Sequence, residues 1–171
     1  MRSILFFVHD LYEDLELWYP NIRLQEAGFK TIVAGPEAQK IYRGKHGYPC
    51  KADISFDAMD PKIFSGLVIP GGYAPDKLRR IPKVLETVRQ IHEKKQMISF
   101  ICHAGWVPIS AKILKGRQVT GVLAIRDDLE NAGALFSDKP VVVDGNLISS
   151  RTPADLPFFC KAMLELLKDV I

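Results

Sequence analysis

Several absences narrow what this chain does. Its three cysteines, Cys50, Cys102 and Cys160, are odd in number, far apart and without a CxxC pair, which argues against a disulfide framework, a structural zinc or a redox dithiol and fits a reducing compartment. No apolar run reaches bilayer length, and "ILFFV" at 4–8 is followed by Asp10, Glu13 and Asp14 rather than by a cleavage site. A membrane span and a signal peptide are therefore not expected, and the cytoplasm is the expected location. Charge of one sign is scarce as well: 23 Lys and Arg against 20 Asp and Glu give +3, scattered without the basic, aromatic-laced stripe of a nucleic-acid binder. Neither GxGxxG nor GxxxxGK[ST] occurs, and the histidines and cysteines lack ligand spacing, so neither a nucleotide nor a metal is expected, and no cofactor.

What is present is alternation. Short apolar runs at 3–8, 30–35, 66–70, 97–102, 117–121 and 140–150 read as strands. Amphipathic stretches at about 13–27, 76–95, 103–114, 124–132 and 153–169 read as helices, the βαβ pattern of an α/β domain with a largely parallel sheet. Asp144-Gly145 suits a hairpin turn inside the last strand pair, and Thr152 with Pro153 suits the start of the last helix. Residues 36–64, rich in glycine, proline and charge, predict a hairpin or an excursion off the sheet. With 171 residues and no linker or repeat, one domain spanning 1–171 is expected.

Three stretches carry chemistry. In "MISFICHAG" the apolar run ends at Cys102-His103 and small residues follow. That is the pattern of a nucleophile elbow, where a strand-to-helix turn exposes the side chain and a helix N-terminus favours the thiolate. In "VIPGGYAPDKL", Gly71 and Gly72 follow another strand end, and their N–H groups together with that of His103 suit an oxyanion hole. In "YEDLELWYP", Glu13 and Glu16 lie three apart in the first turns of a helix, where a carboxyl can reach the sulfur. A lone cysteine in an apolar strand is more often a small core residue, as Cys160 is expected to be. Three such stretches at strand carboxyl ends, where open sheets collect their reactive groups, favour the nucleophile.

Together "YEDLELWYP", "GKHGY", "VIPGGYAPDKL", "ICHAG", "DDLENAG" and "VVVDGNLISSRTPADLPFF" resemble the ThiJ/PfpI family over essentially the whole chain, and most closely its PfpI-type members. The resemblance implies a flavodoxin-like three-layer α/β sandwich, similar to class I glutamine amidotransferases, with a mostly parallel central sheet and the cysteine on a nucleophile elbow. It implies a cysteine-nucleophile enzyme: an intracellular peptidase, or a glyoxalase- or deglycase-like enzyme on α-oxoaldehydes and their adducts. The alternative it implies is an oxidative-stress sensor or chaperone-like protein with an oxidisable Cys102. Carried over, the nucleophile falls on Cys102, its histidine on His103, the buried acid on Glu16 with Glu13 beside it, and a further site position on Lys45. The family's orienting acid, supplied by a neighbouring subunit in a dimer, trimer or hexamer, falls on Asp76. Substrate contacts fall on Lys45, Tyr73 and Val122. Departures from the family pattern are Asp76 for a glutamate, Val122 for a tyrosine, and Phe100 for a small residue. A glutaminase would need a histidine well downstream of the cysteine, and none follows His103. Partners expected are a small-molecule or peptide substrate and further copies of the chain, with neither nucleic acid nor membrane.

Overall fold

The first apolar run forms β1 (Ser3–Phe7), in which every residue is buried, as a parallel strand covered on both faces requires. The computed structural model describes residues 3–168. Strands β2 (Lys30–Gly35), β6 (Phe64–Ile69), β7 (Met97–Ile101) and β11 (Leu147–Ser150) join β1 in parallel, β5 (Ile54–Ser55) extends one edge, and β10 (Val141–Asp144) runs antiparallel on the other. The order is β10-β11-β7-β6-β1-β2-β5. Helices α1 (Asp14–Glu26) and α6 (Leu156–Leu167) pack together on one side. Helices α3 (Pro82–Glu93), α4 (Trp106–Ser110) and α5 (Arg126–Asn131) pack in succession on the other. The result is the three-layer flavodoxin-like sandwich. Among the described residues no helix is long and apolar enough to cross a membrane.

Residues 36–64 contain the expected hairpin, β3 (Ile41–Arg43) with β4 (Pro49–Lys51), detached from the main sheet. Several expectations are corrected. The helix expected over 76–95 is two, α2 (Ala74–Leu78) and α3, because Ile81, which precedes Pro82, is extended (φ −98°, ψ 111°) where proline disfavours the helical region. The run 117–121 supplies β8 (Gln118–Val119), which pairs with β9 (Leu135–Phe136) in a separate small sheet. The hairpin register pairs Asp144 with Leu147, so its loop residues are Gly145 and Asn146, one position later than Asp144-Gly145. Thr152 makes no capping bond; a 3-10 turn over Pro153–Asp155 precedes α6, and residue 169 of the expected helix lies outside the described residues.

Candidate active site

Strands β7, β6 and β1 are neighbours in the sheet, so the segments after their carboxyl ends meet. Extended backbone ends at Ile101 (φ −134°, ψ 147°), and Cys102 then turns to φ 61°. A left-handed conformation in a non-glycine residue costs on the order of 1–3 kcal/mol and persists where the surroundings impose it; here it lifts a half-buried sulfur off the sheet. A 3-10 turn over Cys102–Gly105 follows. Gly105 allows that turn to lie close to Ile125, whose Cδ1 is 2.9 Å from where a Cβ would stand.

The other two segments are stitched to each other. Tyr12 forms an antiparallel bridge with Gly72, Glu13 N donates to Gly71 O at 3.1 Å, and Tyr73 N donates to Leu11 O at 2.8 Å. Glu16 is fully buried. Its Oε2 accepts the Gly71 N–H at 2.7 Å, and its Oε1 has no partner among the described residues. A Cβ on Gly71 would lie 2.5 Å from Glu16 Oε2 and 2.8 Å from Cys102 Cβ. The missing side chain is therefore what lets acid and thiol meet. Because Gly71 gives its N–H to Glu16, it drops out of the expected oxyanion hole. The amides of Gly72 and His103 remain beside the sulfur, where each favours its ionised form.

His103 turns its ring to the sulfur, Nδ1 standing 3.3 Å from Sγ. Its other face meets the Trp106 ring edge-on, with centroids 5.2 Å apart. Trp106 Nε1 in turn donates to Asp128 Oδ2 at 2.8 Å, with the Arg79 guanidinium over the indole. The tryptophan escaped the sequence reading, although three residues after His103 in a helical turn is where a stacking partner belongs. Asp76 is exposed and holds Arg80 at 2.7 Å; within one chain it forms no hydrogen bond to His103. Glu13 also differs from expectation: Oε2 accepts Glu16 N at 3.0 Å as the cap of α1, and Oε1 stands 3.6 Å from Nε2 of the exposed His46. It shapes the helix start rather than touching the sulfur. Lys45, on the loop between β3 and β4, is exposed, and its charge acts on Glu16, Cys102 and His103. Tyr73 is exposed beside α2, whereas Val122 packs half-buried against the core. Glu13, Asp14 and His46 lie close enough to resemble a metal cluster, but both Asp14 oxygens accept backbone N–H groups and Glu13 caps a helix.

Protonation departs from the expected low thiol pKa. The helix after Cys102 has only five residues, too short for a dipole that outweighs burial. Burial and the Glu16 charge push the Cys102 thiol up to about 12. Burial, then the neighbouring Glu13, pushes Glu16 up to about 8. The Glu16 charge exists only once Glu16 has lost its proton, so thiol and carboxyl titrate as one unit. Glu16 loses its proton first, and the proton that remains stays on the sulfur, held there by burial and by the new carboxylate charge. His103 is shifted down by burial and by Lys45, so its ring is neutral at pH 7.

A cysteine on a left-handed elbow beside a buried glutamate, at the carboxyl edge of a parallel sheet, defines an α/β protein of the strand-to-helix elbow class. The chain belongs to the DJ-1/PfpI family, whose profile matches residues 2–166. The "Deglycase PfpI" of Pyrococcus furiosus is 43% identical over 166 residues, covering 97% of this chain and 99% of that protein. A two-domain protein of Anabaena variabilis, with DJ-1/ThiJ/PfpI-like and ferritin-like domains, is 38% identical with a TM-score of 0.96. The match covers 98% of this chain and 48% of that one, so this chain spans about half of its length. The DJ-1beta of Drosophila melanogaster aligns over 97% of this chain and 90% of its own, with a TM-score of 0.91 and 26% identity.

Proposed function

We propose that the chain is a cysteine-dependent enzyme of the deglycase type, acting on α-oxoaldehydes or their adducts. The observation that carries this is the half-buried Cys102 sulfur on its left-handed elbow, with the fully buried Glu16 against the same Gly71 and the His103 ring 3.3 Å from the sulfur. In the reaction the sulfur bonds to the aldehyde carbon while the thiol proton passes to the Glu16 carboxylate. The resulting alkoxide accepts hydrogen bonds from the N–H groups of Gly72 and His103. Proton transfer from that carbon to the neighbouring carbonyl carbon converts the hemithioacetal to a thioester. Water, deprotonated by the neutral His103 ring, then displaces the sulfur and releases a hydroxy acid, so no external oxidant or reductant takes part. The name of the Pyrococcus relative supports this class. Peptide hydrolysis is the second reading; it needs Asp76 to reach His103 of a neighbouring subunit, and within one chain Asp76 holds Arg80. Purified protein is expected to convert methylglyoxal to a hydroxy acid, followed by chromatography. Selective oxidation of Cys102 by mild peroxide with no turnover of any α-oxoaldehyde would instead favour a sensor.

The enzyme works as a homo-oligomer in this reading. The outer face of α1 exposes Leu15, Tyr19 and Ile22 at 56%, 42% and 59%, an i, i+4, i+7 stripe, with Tyr48 at 60% beside it. Trp18, Pro49 and Tyr48 join Leu15 and Ile22 around a groove of about 830 Å³. An apolar stripe on the outer face of a surface helix calls for a covering partner. Ile22→Glu is expected to give a folded monomer by light scattering where the parent gives an oligomer; an unchanged mass would remove this face from the interface.

A further inference from the structure

Two side chains anchor the loop Gly44–Tyr48: the Tyr12 hydroxyl donates to Tyr48 O at 2.6 Å, and Asp14 takes two of its N–H groups. Asp14, the first residue of α1, is buried; its Oδ2 accepts the N–H of His46 and its Oδ1 that of Tyr48, each at 2.9 Å. The carboxylate occupies the room a side chain at residue 44 would need, since a Cβ built on Gly44 falls directly on it. Between those two anchored amides, Lys45 N donates to Tyr12 O at 2.8 Å, and Tyr12 is bridged to Gly72 of the site. Gly44 N to Tyr48 O at 2.9 Å closes the turn. Asp14 stands two residues before Glu16 on the same helix, so the helix that supplies the site's acid also fixes this loop.

Lys45 is the loop's cation. Its side chain is exposed and forms no ion pair among the described residues. Its charge is felt by all three groups around the sulfur, favouring the ionised forms of Glu16 and Cys102 and the neutral form of His103. A side chain on a short loop brings its charge to one place only where the loop backbone is fixed.

We propose that Asp14 is a positioning residue of the site: by clamping the backbone of residues 46 and 48 it holds Lys45 beside Cys102. The inference rests on the reading of Cys102 as the reactive thiol, but its test follows alkylation rather than turnover. Should Cys102→Ser retain turnover, the proposed reaction fails while the alkylation profiles still decide the role of Asp14.

The experiment measures the rate of Cys102 alkylation by iodoacetamide against pH, by peptide mass spectrometry, in the parent, Lys45→Met, Asp14→Asn and the double variant. Asparagine keeps the size of Asp14 but accepts only one of the two N–H groups well. Both single variants are expected to slow alkylation about threefold or more near pH 8, moving the profile to higher pH as loss of a nearby cation requires. The double variant is expected to react no more slowly than Lys45→Met. A profile for Asp14→Asn that superimposes on the parent, with only thermal stability reduced, overturns the proposal, as does a double variant slowed by the product of the two. Should Asp14→Asn fail to fold, Gly44→Ala displaces the loop while leaving the carboxylate intact. The same shift is expected there, and a parent-like profile overturns the proposal.

Discussion

Cys102→Ser is expected to lower methylglyoxal turnover by on the order of 10³-fold or more while leaving the fold intact. The residue sits at φ 61° on a half-buried elbow, and serine fills that position with little change in volume, so stability is expected to stay within about 1 kcal/mol of the parent. What changes is chemistry. An alcohol is far less acidic than a thiol, and Glu16, held near 8, is too weak a base to take its proton. Cys50 and Cys160 are buried and shifted up, so neither replaces the lost sulfur. Turnover within a few-fold of the parent in a correctly folded variant would remove Cys102 from the reaction.

Gly71→Ala is expected to damage fold and activity together. The new Cβ meets Glu16 Oε2 at 2.5 Å, Cys102 Cβ at 2.8 Å and Ile101 O at 2.9 Å. None of these yields easily: the carboxylate is fully buried and tied to the Gly71 N–H, and the other two belong to the strand end and the elbow. Overpacking of this kind costs about 2–3 kcal/mol, or a fall in Tm of roughly 5–10 °C for a domain of this size. Because the strain is relieved by moving Glu16 or Cys102, turnover is expected to fall even in the fraction that remains folded. A variant with parental Tm and parental rate would mean that acid and thiol do not depend on this close approach.

The parallel sheet and the elbow were legible in the chain because both are written locally: apolar runs of strand length, and "ICHAG" at the end of one of them. Glu16 was reached through the resemblance in "YEDLELWYP" rather than by spacing, since Glu13, Asp14 and Glu16 look alike until the fold assigns one to the sulfur, one to a loop and one to a helix cap. Asp14 passed unnoticed because its partner His46 lies 32 positions away, and a contact of that separation leaves no periodic trace. The split between α2 and α3 was readable in Ile81-Pro82, but the amphipathic rhythm on either side masked it. The raised thiol pKa was not readable, because burial is a property of the assembled sandwich, whereas the expected helix dipole had only the order of residues behind it. Commitment of the Gly71 N–H to Glu16 was hidden for the same reason.

The most direct test of a reactive Cys102 coupled to Glu16 is to label the parent protein with substoichiometric iodoacetamide at a series of pH values and map the modified peptides. Cys102 is expected to react ahead of the buried Cys50 and Cys160. Its rate is expected to go on rising with pH above 8, because burial and the Glu16 charge hold the thiol well above its ordinary value. Labelling of Cys102 no faster than the other two cysteines across the whole series would contradict the nucleophile itself.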